Sequence, residues 1–331
     1  MNPSRNHLFA TLFIASLLFG AGCVVIPVGD LLRAPPIQEQ VVIEGDGFLS
    51  QDKIAIVDLE GVITGSEESG FFSARSSTVA DLKEQLSYAR RDPEVKAVLL
   101  RISSPGGEVT ACDVLHQEVL EFRKATGIPV VAAVIDQAAS GGYYVAAACD
   151  AIVVHPTAIV GSIGVILQSF DVSGLFQKIG VSANPVKSAE KKDLLSPFRS
   201  RTPEEAAILQ KLVDDLHSRF VEIVAARPGG PGADGARALA DGRVVSGREA
   251  LALKLVDRVG YLRDAVEEAS TRAKLTRAPT VVRYGRGGRS GAGLYGLAGA
   301  AESAGRGRTT ISLDLEGGLG PRARFLYLWQ P

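Results

Sequence analysis

Histidine and cysteine are scarce in this chain: four and three among 331 residues. None of His7, His116, His155, His217, Cys23, Cys112 and Cys149 falls in a cluster with metal-ligand spacing, so no metal site is expected and no cofactor is implied. Cys112 and Cys149 read as buried thiols in separate helices, with pairing in an oxidising compartment as the alternative. An excess of charge is also missing. With 36 basic and 37 acidic residues the net charge is −1, and nothing marks nucleic acid as a partner.

The start of the chain is what first stands out. Residues 8–28 form a run of 21 without a charge, only Thr11 and Ser16 being polar, behind a short leader with one Arg. That is long enough to span a bilayer and also has the pattern of a secretory signal. Within it, Leu18-Phe19-Gly20-Ala21-Gly22-Cys23 resembles a bacterial lipoprotein cleavage site, with Gly20 where such sites usually carry Leu. Cys23 is therefore the lipidation candidate; a retained transmembrane helix and full release are the alternatives. All three place the rest of the chain outside the cytoplasm, membrane-anchored on the periplasmic side in the first two. The 300 or so residues that remain suffice for one or two domains with a large core.

Ser140 carries the strongest chemical signal. The apolar, β-branched run Ile128–Ile135 predicts a buried strand, and Val145-Ala146-Ala147-Ala148 predicts a helix. Between them stands Ala139-Ser140-Gly141-Gly142-Tyr143-Tyr144, so the serine sits where a strand turns into a helix. Small neighbours admit a substrate backbone, and the Gly141 N–H points to the same spot as the hydroxyl. This is the arrangement of an acyl-transfer nucleophile with one oxyanion donor. An ordinary N-cap serine is the plain alternative.

A second junction supports the first. Val98–Ile102 predicts another buried strand and ends in Ser103-Ser104-Pro105-Gly106-Gly107, with a helix after it. Read as a turn at the carboxyl end of a parallel strand, it presents backbone N–H groups to the same side. A simple Pro-Gly β-turn is the alternative.

Taken together, Ser104-Pro105-Gly106-Gly107, Ala139-Ser140-Gly141-Gly142-Tyr143-Tyr144, Val160-Gly161-Ser162-Ile163-Gly164-Val165, the stretch from Lys187 to Pro197, and Asp241-Gly242-Arg243-Val244 resemble the signal peptide peptidase A family. These are serine–lysine proteases on the α/β core shared by the Clp protease and the crotonases. The resemblance runs from about Lys53 to about Ala273. It implies that Ser140 is the nucleophile, Lys192 the general base and Ser162 the residue that orients the lysine. It also implies an oxyanion hole made by the N–H groups of Gly107 and Gly141.

The residues themselves leave the base open. A lysine can accept a proton only when neutral. Against an ordinary value of about 10.4, work near neutrality needs a fall of roughly three pH units, or about 4 kcal/mol, which burial can supply. Lys187, Lys191 and Lys192 all qualify by position. Lys192 has the apolar pair Leu194-Leu195 after it and a cation before it, though Asp193 opposes them; the motif match selects it. A solvated surface loop is the plain reading of this stretch. For Ser162 the plain alternative is a serine that bonds only its own turn. No histidine lies in a Gly-rich turn, but a Ser-His-Asp triad, being spatial, stays an alternative.

Helices and strands alternate from Thr78 to about Pro185, which predicts βα crossovers and a parallel sheet: an α/β fold with a Clp/crotonase-like core behind an N-terminal membrane-targeting segment. Thr202-Pro203-Glu204-Glu205 marks a firm helix start. The expected division is 1–30 signal sequence or membrane anchor, 31–52 linker, 53–275 serine–lysine peptidase domain, and 276–331 Gly/Arg-rich link and apolar tail. Residues 66–77 read as a loop.

The expected activity is that of a membrane-attached serine endopeptidase, cofactor-free, degrading remnant signal peptides and other apolar peptides. The resemblance implies a ring-shaped homo-oligomer, eight subunits suiting the single-length chain. An inactive scaffold of the same fold and a crotonase-like acyl-CoA enzyme are the alternatives. The tail Phe325-Leu326-Tyr327-Leu328-Trp329 resembles a substrate. It is read either as a tethered competitor in the substrate groove or as a strand that completes the core.

Overall fold

The computed structural model describes residues 37–46, 51–66, 68–70, 73–75, 77–286 and 325–329. Cys23, the apolar run at 8–28 and the whole 287–324 stretch lie outside them.

The chain begins with strands β1 (Ile37–Ile43) and β2 (Lys53–Ile63) and a small hairpin, β3 (Glu68–Gly70) with β4 (Ser73–Arg75). Helix α1 (Thr78–Arg91), β5 (Val95–Glu108), α2 (Val109–Thr126), β6 (Val130–Ala139), α3 (Gly141–Ala146) and β7 (Ala151–Val154) then alternate. Next come β8 (Ile159–Gly161), β9 (Ile166–Leu167), the short α4 (Ser173–Lys178), a 3-10 turn at Glu190–Asp193 and the long α5 (Pro203–Ala226). The remainder is α6 (Gly232–Leu239), β10 (Val244–Ser246), α7 (Gly247–Ala252), β11 (Arg258–Val259), α8 (Leu262–Arg272), β12 (Thr280–Arg286) and β13 (Phe325–Leu328).

One large sheet has the order β1-β12-β2-β5-β6-β7-β11, parallel from β12 onward. Strands β2, β5, β6 and β7 are neighbours in that order, each joined to the next through a helix, as the βα alternation predicts. Side chains alternate across it. Ala55, Val57, Leu59, Val98, Leu100 and Ile102 pack on one face with α1, α2, α3 and α5. Ile54, Ile56, Ala97 and Leu99 pack on the other with Leu262, Ala265 and Ala269 of α8. Among the described residues no helix is long and apolar enough to cross a membrane.

Three segments depart from the sequence reading. The Ser-Pro-Gly-Gly stretch is not a turn: β5 continues through it to Glu108, because Gly107 pairs with Ile63 on one side and Tyr327 on the other. Residues 280–286, expected within a link, form β12 between β1 and β2. The expected loop at 66–77 contains the β3–β4 hairpin. The helix start at Thr202 holds: its hydroxyl accepts from the Glu205 N–H at 3.2 Å, and the Glu205 carboxylate accepts from the Thr202 N–H at 2.9 Å.

Candidate active site

Ser140 is 1 % exposed at the β6–α3 junction, with φ 50° and ψ −114°. A side chain with φ positive here costs on the order of 1–3 kcal/mol, and such strain gathers at functional turns. The surroundings hold it. The Ser140 N–H donates to Gly161 O at 2.7 Å, and Ser140 O accepts from the Tyr144 N–H at 2.9 Å. The hydroxyl does not cap α3, so the N-cap reading fails. It donates instead to Gly164 O, at 3.5 Å.

The end of β5 lies beside this turn. A methyl group placed on Gly106 would come 2.6 Å from the Gly141 nitrogen and 1.8 Å from Tyr327 O. One on Gly107 would come 2.0 Å from Ile63 O. Both positions therefore require glycine, and Gly106, at φ 100°, requires it twice over. Cys112 Sγ backs Gly141 from the other side, where a methyl group would come within 2.3 Å. The Cys112 and Cys149 thiols are free and buried, and burial pushes both up, Cys149 to about 12. Cys149 follows α3 and is not within a helix.

Where β6 leaves the sheet for Ser140, β13 takes its place beside β5. It pairs antiparallel with Gly106, Gly107 and Glu108 on one side and with Ile166 and Leu167 on the other. The Trp329 N–H donates to Pro105 O at 2.8 Å. Tyr327 is fully buried; its ring meets Tyr144 and Phe220, and its hydroxyl donates to Leu216 O at 2.8 Å. The tail thus lies extended along the Gly106-Gly107 end of β5, beside the Ser140 turn, and also completes the core.

Ser162 is buried in the turn after β8, at φ 51°, its N–H donating to Arg243 O at 2.7 Å. This is the turn whose Gly161 and Gly164 carbonyls contact Ser140, so the structure brings Ser162 beside the serine. Two of the three lysines are paired with carboxylates. Lys187 pairs with Asp193 at 2.9 Å, and Lys191 with Glu204 at 2.7 Å. The Glu204 carboxylate raises the Lys191 ammonium above its ordinary value. Asp193 is committed to Arg199 and Lys187, which hold its carboxyl below the usual range. Lys192 is exposed, and no side-chain hydrogen bond or ion pair joins it to another described residue, Ser140 included.

Histidine offers no substitute among the described residues. His116 is buried, and burial lowers it to about 4; its ring packs edge-on against Tyr144. His155 bonds Thr157 and His217 bonds Ala240 O. No group of three His, Cys, Asp or Glu side chains suited to a metal ion occurs there either. The sequence reading missed the aromatic cluster of Tyr144, Phe220 and Tyr327. Its one local signal is Tyr144, four residues after the serine on the first turn of α3.

Comparison with known proteins bears on this site. The family model described as Peptidase family S49 matches residues 122–276. A protein of Enterococcus faecium named "Putative signal peptide peptidase SppA" is 36 % identical over 248 residues, 75 % of this chain and 70 % of that one. Protease 4 of Salmonella typhi is 34 % identical over 67 % of this chain and 35 % of its own length. The chloroplastic serine protease SPPA of Arabidopsis thaliana is 33 % identical over 71 % and 35 %. Among solved structures, a mutant of the 1510-N membrane-bound stomatin-specific protease aligns at TM-score 0.43 and 16 % identity, over 66 % of this chain and 84 % of that one.

Proposed function

We propose, from the premise that this chain belongs to the signal peptide peptidase A proteases of peptidase family S49, that it is an endopeptidase with Ser140 as nucleophile and Lys192 as base. The observation that carries this reading is the strained Ser140 turn packed against the Gly106-Gly107 strand, with an extended segment lying alongside. A peptide bound as β13 is bound would run its backbone past the Ser140 hydroxyl and the Gly107 and Gly141 N–H groups. Attack by Ser140 Oγ on a carbonyl there forms an oxyanion that two backbone donors can hold. The base takes the hydroxyl proton and returns it to the leaving amine.

Lys192 reaches Ser140, in this reading, from a second copy of the chain. Its segment exposes Phe170, Leu175, Ile179 and Val186, an apolar surface that a neighbouring copy would cover. A contact that repeats head to tail closes into a ring when the rotation between copies permits it, and each Ser140 then meets the neighbour's Lys192. Covering the lysine also removes it from water, which favours its neutral form.

The substrates that fit are extended, mostly apolar peptides, with remnant signal peptides as the natural class. The anchor at 1–30, by lipid on Cys23 or by a transmembrane helix, would keep the site on the periplasmic side of a membrane. A fluorophosphonate probe tests the core of this: the wild-type protein should label covalently and Ser140→Ala should not. Equal labelling of both would refute it.

A further inference from the structure

We propose that Ser104 is a positioning residue, whose hydroxyl sets the oxyanion strand against the nucleophile turn. This rests on the oxyanion reading of Gly107 and Gly141 given above. The sheet is irregular here. Between β2 and β5 the register steps from Glu60↔Ser103 to Val62↔Gly106, so β5 carries an extra residue. Between β5 and β6 it steps from Ile102↔Val134 to Ser104↔Ala138. Pro105, inside the bulge, has no N–H to give to a ladder.

The Ser104 side chain makes good what the ladder loses. Its hydroxyl donates to Gly61 O at 2.7 Å and accepts from the Gly106 N–H at 3.1 Å. It is fully buried, so no water substitutes for either bond. Gly61 and Gly106 both have positive φ, 72° and 100°, so the hydroxyl ties together two backbone points that sequence alone leaves pliable. Its backbone faces the other way onto the serine turn: a methyl group on Gly142 would come 2.7 Å from Ser104 O. Ser104 therefore touches the residue next to each oxyanion donor, Gly106 through its side chain and Gly142 through its main chain. Loss of the hydroxyl frees Gly106 and lets Gly107 drift relative to Gly141. Removing an oxyanion donor outright costs about 10²–10³ in kcat; misplacing one by a fraction of an ångström should cost about tenfold.

Ser104→Thr and Ser104→Val have the same shape and differ by the hydroxyl. In the full-length protein, well below either melting temperature, the Val variant should show kcat about tenfold below the Thr variant, with KM within about twofold. A peptide aldehyde, whose adduct with Ser140 places an oxyanion in the hole, should lose affinity by the same factor as kcat. Equal kcat in the two variants, or a loss confined to KM, overturns the proposal. Should neither variant fold, the wild type against Ser104→Ala tests loss of the hydroxyl by the same readouts. Ser140→Ala run alongside separates the two readings. If it stays active, the oxyanion site itself is misassigned; if it is inactive and the Ser104 pair are equal, only the role of Ser104 falls.

Discussion

Tyr327 stacks on Tyr144, ring centroids 5.1 Å apart and planes 23° from parallel, on the first turn after Ser140. Tyr327 thus packs in the same buried aromatic cluster as the residue four places past the candidate nucleophile. The sequence left two readings of this tail, competitor or core strand, and the packing makes them less exclusive than they sound. Deleting the chain from Arg324 onward should lower the melting temperature, since a fully buried aromatic goes with it. Melting alone therefore no longer separates the readings. The apparent KM for peptides does: it should fall several-fold if the tail competes with substrate. An unchanged KM would leave β13 a structural strand only.

Ser140→Ala should abolish peptide hydrolysis, by about 10³-fold or more, with the fold intact. The backbone strain adds a second expectation. Ser140→Gly should be more stable than Ser140→Ala by about 1 kcal/mol, because glycine accepts the positive φ without a Cβ penalty. Denaturant unfolding measures this, and equal stabilities would mean that the turn is not strained.

If each site draws its lysine from a neighbour, two dead variants can restore one another. Lys192→Met and Ser140→Ala, each inactive alone, should regain about a quarter of wild-type activity when unfolded, mixed in equal parts and reassembled. Lys187→Met and Lys191→Met should stay active by themselves, since both cations are held by carboxylates. A mixture that stays dead would place both groups within one chain or dismiss Lys192 as the base.

The lysine segment is pinned to the start of α5 through Arg199, which bridges Asp193 at 2.8 Å and Glu205 at 2.5 Å. Hydrogen bonds from Arg199 draw the Glu205 carboxyl down to about 2. Its folded value lies below its unfolded one, so this contribution is complete above the ordinary carboxylate range. It is lost as pH falls through that range toward about 2. Amide exchange across residues 187–199, corrected for intrinsic rate, should therefore be slow at neutral pH and faster near the acid end. Arg199→Gln should exchange fast at both. Equal protection of the wild type at both ends would show that the clamp does not hold the segment.

How far the sequence could be read depended on how local the cause was. Val109–Thr126 and Ala151–Val154 have the bounds that periodicity and flanking residues indicate, because each carries its own apolar pattern and stop signals. Ser140 was legible for the same reason, as a small-residue junction between two such elements. The Ser-Pro-Gly-Gly stretch was not, because its extended form is imposed by Ile63 and Tyr327, neither adjacent in sequence. Thr280–Arg286 was hidden for the same cause: its partners are β1 and β2. Lys192 was distinguishable from its neighbours only by resemblance to the family, until the ion pairs of Lys187 and Lys191 set it apart.

The place of β12 has a consequence for how the chain is made. Ile37 finds its register partner only in Arg286, and Lys53 finds one of its two in Thr280. A ribosome has therefore moved well past β2 and the whole Ser140 region before β12 can close the sheet between β1 and β2. Until then β2 presents a bare parallel edge, the kind of surface that recruits strands from other chains, and the long loop to be closed makes the last pairing slow. A nascent chain stalled before Thr280 would hold Ser140 and the Gly106-Gly107 strand yet carry an open sheet, so the candidate nucleophile is synthesised well before its scaffold is closed.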